Sequence, residues 1–135
     1  MRDFLVTACL SIAAALMVLP ARSQDDFSFI AGNYALDPAD CGTLAGGQAF
    51  SKEWVDALSS EVLTREGVTS PREVHCRFRS AVTGGEGWTV KADCEELGEA
   101  ESYDLAVTAN ADGSVAILNE DVWGPEPMVF QLCPK

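Results

Sequence analysis

A mostly β fold, either a small antiparallel barrel or a strongly curved sheet with one short helix and two disulfides, follows from three features of the sequence. Two stretches alternate apolar and polar residues on either side of a glycine-rich turn. A second alternating pair flanks Asn110-Ala111-Asp112-Gly113. Four cysteines, an even number, remain once an amino-terminal leader is set aside.

The leader covers residues 1–23 and reads as a secretory signal. Arg2 and the amino terminus give a short positive start, blunted by Asp3; an apolar run follows from Phe4 to Leu19, and Pro20-Ala21-Arg22-Ser23 supplies the small residues for cleavage after Ser23. As a helix the run spans about 24 Å, short of the ~30 Å hydrocarbon core, which disfavours a retained anchor. Val6-Thr7-Ala8-Cys9 looks like a lipoprotein cleavage site, but it precedes most of the apolar run, so no lipid anchor is expected. Residues 24–135 form a single β-rich domain. Without the leader, seven basic and twenty acidic side chains give a net charge of −13. That balance disfavours nucleic acid and anionic membrane surfaces as partners, since both select clustered Lys and Arg. A chain of 112 residues buries about 65% of its unfolded surface, enough for one modest core.

Taken in order, Phe29–Leu36 and Glu61–Thr64 read as short strands. Phe50–Ser59 is the helical segment, with Phe50, Trp54, Ala57 and Leu58 at helical spacing. Val74, Cys76 and Phe78 alternate with His75, Arg77 and Arg79. Across the turn Thr83-Gly84-Gly85-Glu86-Gly87, Trp88, Val90, Ala92 and Cys94 share one face of the returning strand. A turn centred on Gly85 sets Phe78 opposite Ala92, Ser80 opposite Val90 and Cys76 opposite Cys94. Opposed residues lie about 4.5–5.5 Å apart, within disulfide range. By elimination Cys41 pairs with Cys133. The same register sets Arg77 against Asp93 and His75 against Glu95 on the solvent face. Tyr103, Leu105, Val107 and Ala109 then alternate inward, Gly113 closes a type I turn in a left-handed conformation, and Val115 and Ile117 return. Met128–Leu132 is the last strand.

Gly32-Asn33-Tyr34-Ala35-Leu36-Asp37-Pro38-Ala39-Asp40-Cys41, followed by Cys76-Arg77-Phe78, Trp88-Thr89-Val90-Lys91-Ala92-Asp93-Cys94 and Cys133-Pro134, resembles a group of small exported proteobacterial proteins of unknown function. Their pattern opens with Gly-x-Trp-Ala-x-Asp-Pro-x-x-Cys and ends with Cys-Pro. Here Tyr34 stands for the usual Trp, and Gln48–Ser59 looks inserted. The resemblance implies a shared disulfide framework and carries no functional residues. The opening is also similar to the Gly-x-Trp of lipocalins, a three-residue match.

No catalytic constellation is legible. His75 is the sole histidine, and no nucleophile motif or Gly-x-Ser-x-Gly elbow accompanies it. One histidine and disulfide-committed cysteines do not make a zinc site. The acidic run Asp93–Asp104 lacks the spaced Asp-x-Asp-x-Asp-Gly order of a calcium loop and reads as a solvated hairpin tip. Asp121–Met128 is the segment suited to partner binding: Trp123 beside Gly124-Pro125-Glu126-Pro127-Met128 makes a preorganised anchor, with Trp123, Pro125, Pro127 and Met128 as contact residues. The competing arrangement folds Trp123 back over one end of the sheet, and a third gathers Trp54, Trp88 and Trp123 around an interior pocket. The expected function is a non-enzymatic, inhibitor-like protein-binding module, periplasmic or secreted, with no cofactor or metal and another periplasmic or extracellular protein as partner. The alternative is a lipocalin-like carrier of a small apolar ligand.

Overall fold

The computed structural model describes residues 25–72 and 74–135; the expected leader, residues 1–23, lies outside them. Eight antiparallel strands run in sequence order and close into a barrel: β1 (Tyr34–Ala35), β2 (Val62–Thr64), β3 (Gly67–Thr69), β4 (Val74–Gly84), β5 (Gly87–Glu96), β6 (Glu99–Ala109), β7 (Val115–Asn119) and β8 (Gly124–Leu132). Short helical segments interrupt the meander: a 3₁₀ turn at Pro38–Asp40 running into α1 (Cys41–Leu44), then α2 (Lys52–Ala57) and α3 (Glu120–Trp123). Among the described residues no helix is long and apolar enough to cross a membrane.

The strands obey the period-two rule because one face of each looks into a filled lumen. Tyr34, Leu63, Val68, Cys76, Val90, Leu105, Ile117 and Phe130 are all buried in one apolar cluster. Gly67 admits the close approach of β4 to β3, since a Cβ there would lie 1.9 Å from the Cys76 carbonyl oxygen. The segment before β1 seals the end of the barrel where the β4–β5 turn lies. Phe29 is buried with its ring 5.2 Å from Trp88, and the Tyr34 hydroxyl donates to the Phe29 carbonyl at 3.2 Å. The predicted strand Phe29–Leu36 is therefore reduced to Tyr34 and Ala35.

The sequence-derived register holds where it pairs Cys76 with Cys94, His75 with Glu95, Arg77 with Asp93 and Phe78 with Ala92, and fails nearer the turn. Ser80 opposes Lys91 and Ala81 opposes Val90. The reason is geometric. A two-residue turn joins Gly84 to Gly87, with Gly85 at φ 59°, which sets the pairing one residue off from the register that joins the cysteines. A bulge between Phe78 and Ser80 absorbs the difference and puts Ala81 into the core. Arg79 at the bulge, rather than Arg77, forms the ion pair with Asp93 (3.2 Å).

Both expected disulfides form. Cys76–Cys94 staples β4 to β5 inside the core, and Cys41–Cys133 joins α1 to the residue after β8. The latter sits at the point of closure, where β1 contributes only two pairs to each neighbour: Tyr34 with Leu63 and Leu132, and Ala35 with Val62 and Gln131. The Cys133 amide donates to the Asn33 carbonyl at 2.8 Å and lengthens that seam.

Residues 36–61 leave the barrel between β1 and β2 and return over its outer wall. They cover the outward faces of Ala35 and Val62 with Leu44, Trp54 and Leu58. The predicted helix Phe50–Ser59 contracts to α2, capped by Ser51 accepting from the Trp54 amide. Trp54 and Leu58 are buried as expected. Ala57 is exposed and Phe50 falls outside the helix at φ 63°. This excursion is fastened by Asp40, a buried carboxylate that receives the Ser59 amide (2.9 Å), the Ser60 amide (2.9 Å) and the Ser60 hydroxyl (2.7 Å).

Two predictions follow from these fastenings. Replacing Cys41 and Cys133 by Ser lowers the unfolding free energy by about 4–5 kcal/mol in the chain-entropy account of a long loop, measurable by urea denaturation. Burial pushes the Asp40 carboxyl up, but the donors from Ser59 and Ser60 outweigh it and hold it below its ordinary value. Its contribution is complete above the unfolded-state value of about 3.9 and disappears as pH falls through the lower folded-state value. Asp40→Asn therefore costs about 1–3 kcal/mol at neutral pH and makes the acid-side decline shallower than in the wild type.

Candidate functional site

The β5–β6 hairpin carries the most acidic stretch of the chain to the barrel end opposite the amino-terminal plug. Its turn is Leu97-Gly98, joining Glu96 to Glu99, and both residues have positive φ, 51° and 84°. Two positive values in a two-residue loop match the twist of the flanking strands. Glycine adopts that geometry without cost, whereas leucine does so against its Cβ. Leu97 is also 74% exposed. The expectation of a hairpin tip for this run is met, and its strands are paired along their whole length from Trp88–Val107 to Glu96–Glu99.

Beside the tip lies a cleft of about 530 Å³. Its apolar lining is Val74, Cys94, Ala100, Tyr103 and Val122, of which Cys94 belongs to the buried disulfide. Glu96, Glu99, Glu101 and Asp121 rim it, and none of its described lining residues is a cation. The Tyr103 hydroxyl donates to Glu101 at 2.7 Å. That bond, with desolvation and then the charges of Glu101, Asp121 and Glu96, raises the phenol above its ordinary value. Asp121 and Val122 are presented by α3, whose start is fixed by the Asn119 side chain accepting from both their amides at 3.0 Å. Among the described residues no group of His, Cys, Asp and Glu is arranged to hold a metal ion.

The segment singled out for partner binding takes a different form. Asp121–Met128 is not a free loop. Glu120–Trp123 is α3, and Gly124, Pro125, Pro127 and Met128 belong to β8. Pro125 and Pro127 lie between Gly124, which pairs with Asn119, and Met128, which pairs with Ile117; both are exposed. Trp123, with Met128, packs half-buried against the barrel core, the folded-back arrangement weighed above. Its indole N–H is buried and meets no acceptor. The three tryptophans do not share a pocket. Trp54 lies in the outer cluster, while Trp88 and Trp123 pack on the core, and the Trp88 indole donates to Asp26 at 3.1 Å. Asp26 takes further hydrogen bonds from Ser28 and Thr83, which hold its carboxyl well below the usual range.

His75 opposes Glu95 as expected, yet it is half-buried, with Nδ1 accepting the Ser70 amide (3.2 Å) and its ring 6.1 Å from Phe50. Burial lowers its pKa and keeps it neutral. Sequence reading overlooked Leu97. The signal available was Leu-Gly between two glutamates, a two-residue turn in which leucine occupies a position that favours Asn or Asp.

The fold and site together define a small disulfide-closed eight-stranded barrel with a packed lumen and an acid-rimmed cleft at one end. Comparison with protein-family models, with curated proteins and with solved structures found no match.

Because the Trp123 indole N–H is buried without an acceptor, Trp123→Phe removes an unsatisfied donor while keeping most of the apolar body. Thermal unfolding of this variant is expected at or above the wild-type midpoint. A drop as large as that of a core truncation contradicts the packing described.

Proposed function

We propose that the protein is exported and acts without catalysis, as an inhibitor-like module that binds another protein outside the cytoplasm. The acidic end of the barrel receives a basic segment with apolar side chains. The observation that carries this reading is the pairing of a cleft lined by apolar side chains and four carboxylates with an exposed leucine held at positive φ beside it. Neither the exposure nor the left-handed backbone of Leu97 benefits an isolated hairpin, whereas an apolar anchor at a rigid tip gains from insertion into a partner. The surrounding carboxylates speed encounter with a cationic surface and reject acidic ones. Export is supported by the two disulfides, which persist in oxidising compartments, and by the resemblance to exported proteins with the same cysteine framework. The packed lumen favours a surface interaction over a lipocalin-like ligand held inside.

The test uses two short peptides, one alternating Lys with Leu and one alternating Glu with Leu, titrated calorimetrically. The basic peptide is expected to bind, to weaken with added salt, and to lose about tenfold in affinity in Leu97→Asn and in the triple variant Glu96→Gln/Glu99→Gln/Glu101→Gln. Asparagine tolerates left-handed backbone, so Leu97→Asn preserves the turn while removing the anchor. Equal binding of the two peptides, or binding insensitive to salt, refutes the reading.

A further inference from the structure

A second cleft, of about 520 Å³, shares no lining residue with the first. It lies between the excursion around Gln48–Trp54, the β2–β3 turn and the outer face of β4, and Arg65 and Arg77 are among its lining residues. Acidic side chains outnumber basic ones 21 to 9 in this chain, and three of the seven cations among the described residues have a carboxylate partner. Lys52, Arg79 and Lys91 have such partners. Arg65 and Arg77 form no ion pair among the described residues and lie over aromatic rings instead. Arg65 lies 5.3 Å from the centre of Phe27, and Arg77 lies 4.0 Å from that of Phe50. A guanidinium that meets a ring face rather than a carboxylate keeps N–H donors free, in the fork that matches a carboxylate.

The aromatic wall is fixed at some expense of backbone freedom. Phe50 is one of two non-glycine residues at positive φ among the described residues, and its amide donates to the Thr69 hydroxyl at 3.2 Å. Trp54 is anchored by its indole N–H on the Gly46 carbonyl, 2.6 Å away. Gly47, at φ 86°, lets the chain pass it, because a Cβ there would lie 2.7 Å from the Trp54 Nε1. Leu44 and Ala49 complete the apolar side. Glu66 on the rim is exposed and pairs with neither arginine. Strain held by several independent contacts beside unpaired charges is characteristic of a ligand site.

We propose that this cleft binds a small organic carboxylate, whose oxygens meet the N–H edges of Arg65 and Arg77 while its apolar body lies against Phe50 and Trp54. The volume suits a ligand of that size. The assignment is independent of the partner proposed for the acidic end.

The experiment is a two-dimensional ¹H–¹⁵N NMR titration of the whole protein with benzoate, with benzyl alcohol as the neutral isostere and inorganic phosphate as the anion lacking an apolar body. Benzoate is expected to shift the Phe50 amide, the Trp54 indole N–H and the amides of Arg65 and Arg77. Its affinity falls about tenfold in Arg65→Gln/Arg77→Gln and is reduced in Arg77→Lys, which keeps the charge and loses the fork. Unchanged resonances of the β5–β6 hairpin in these variants establish that the barrel is intact. Equal responses to benzyl alcohol and benzoate, a response to phosphate alone, or undiminished benzoate binding in the double variant would overturn the proposal.

Discussion

Closure of the barrel hangs on a seam two residues long. β1 supplies Tyr34 and Ala35 and must pair with β2 on one side and β8 on the other. Two residues make too few ladder bonds to hold eight strands in a ring against chain entropy. The Cys41–Cys133 bond, separated by 92 residues in sequence, crosses next to that seam and removes much of the freedom its ends would have in the unfolded chain. Without the seam, β1, β2 and β8 have unpaired edges and the lumen is open to water. Tyr34 reinforces it from inside: its hydroxyl donates to Phe29 and accepts from Ala31, so the strand that closes the ring also holds the plug at its end.

In a closed ring with a filled lumen the clefts lie on the exterior. Both clefts arise where the chain departs from the regular meander. The first is built by a hairpin that extends beyond the barrel rim and by α3, set between β7 and β8. The second exists because residues 36–61 travel over the outer wall rather than turning directly from β1 to β2. Asp40 determines the path of that excursion by gathering the donors of Ser59 and Ser60. A buried carboxylate is tolerated there because five donor contacts replace its hydration. The charge of the molecule is thus divided: carboxylates crowd one cleft, and two arginines without ion pairs line the other.

Much of this was legible in local pattern. Alternation around Gly85 located β4 and β5, and the opposed cysteines followed from counting residues across the turn, because side chains in strands repeat every two residues. The count failed at Ser80 because turn size and disulfide register are set independently, and only a bulge reconciles them. Trp123 illustrates another limit. Proline and glycine beside an aromatic suggest a projecting loop, yet β8 begins at Gly124 and runs through both prolines, which fall at the irregularity between the Asn119–Gly124 and Ile117–Met128 pairs. Short strands such as Gly67–Thr69 leave too few residues for any periodicity to register.

By itself the sequence determined the strand faces, the disulfide partners, the strong negative charge and the location of the acidic hairpin, since each depends on residues near one another in the chain or on parity across a turn. Tertiary structure alone decided that the sheet closes, that Leu97 stands exposed in a left-handed turn above a cleft, and that Phe50 meets Arg77 from a distant segment. Those outcomes depend on which surfaces compete for burial once the ring is shut, a contest between parts of the chain far apart in sequence.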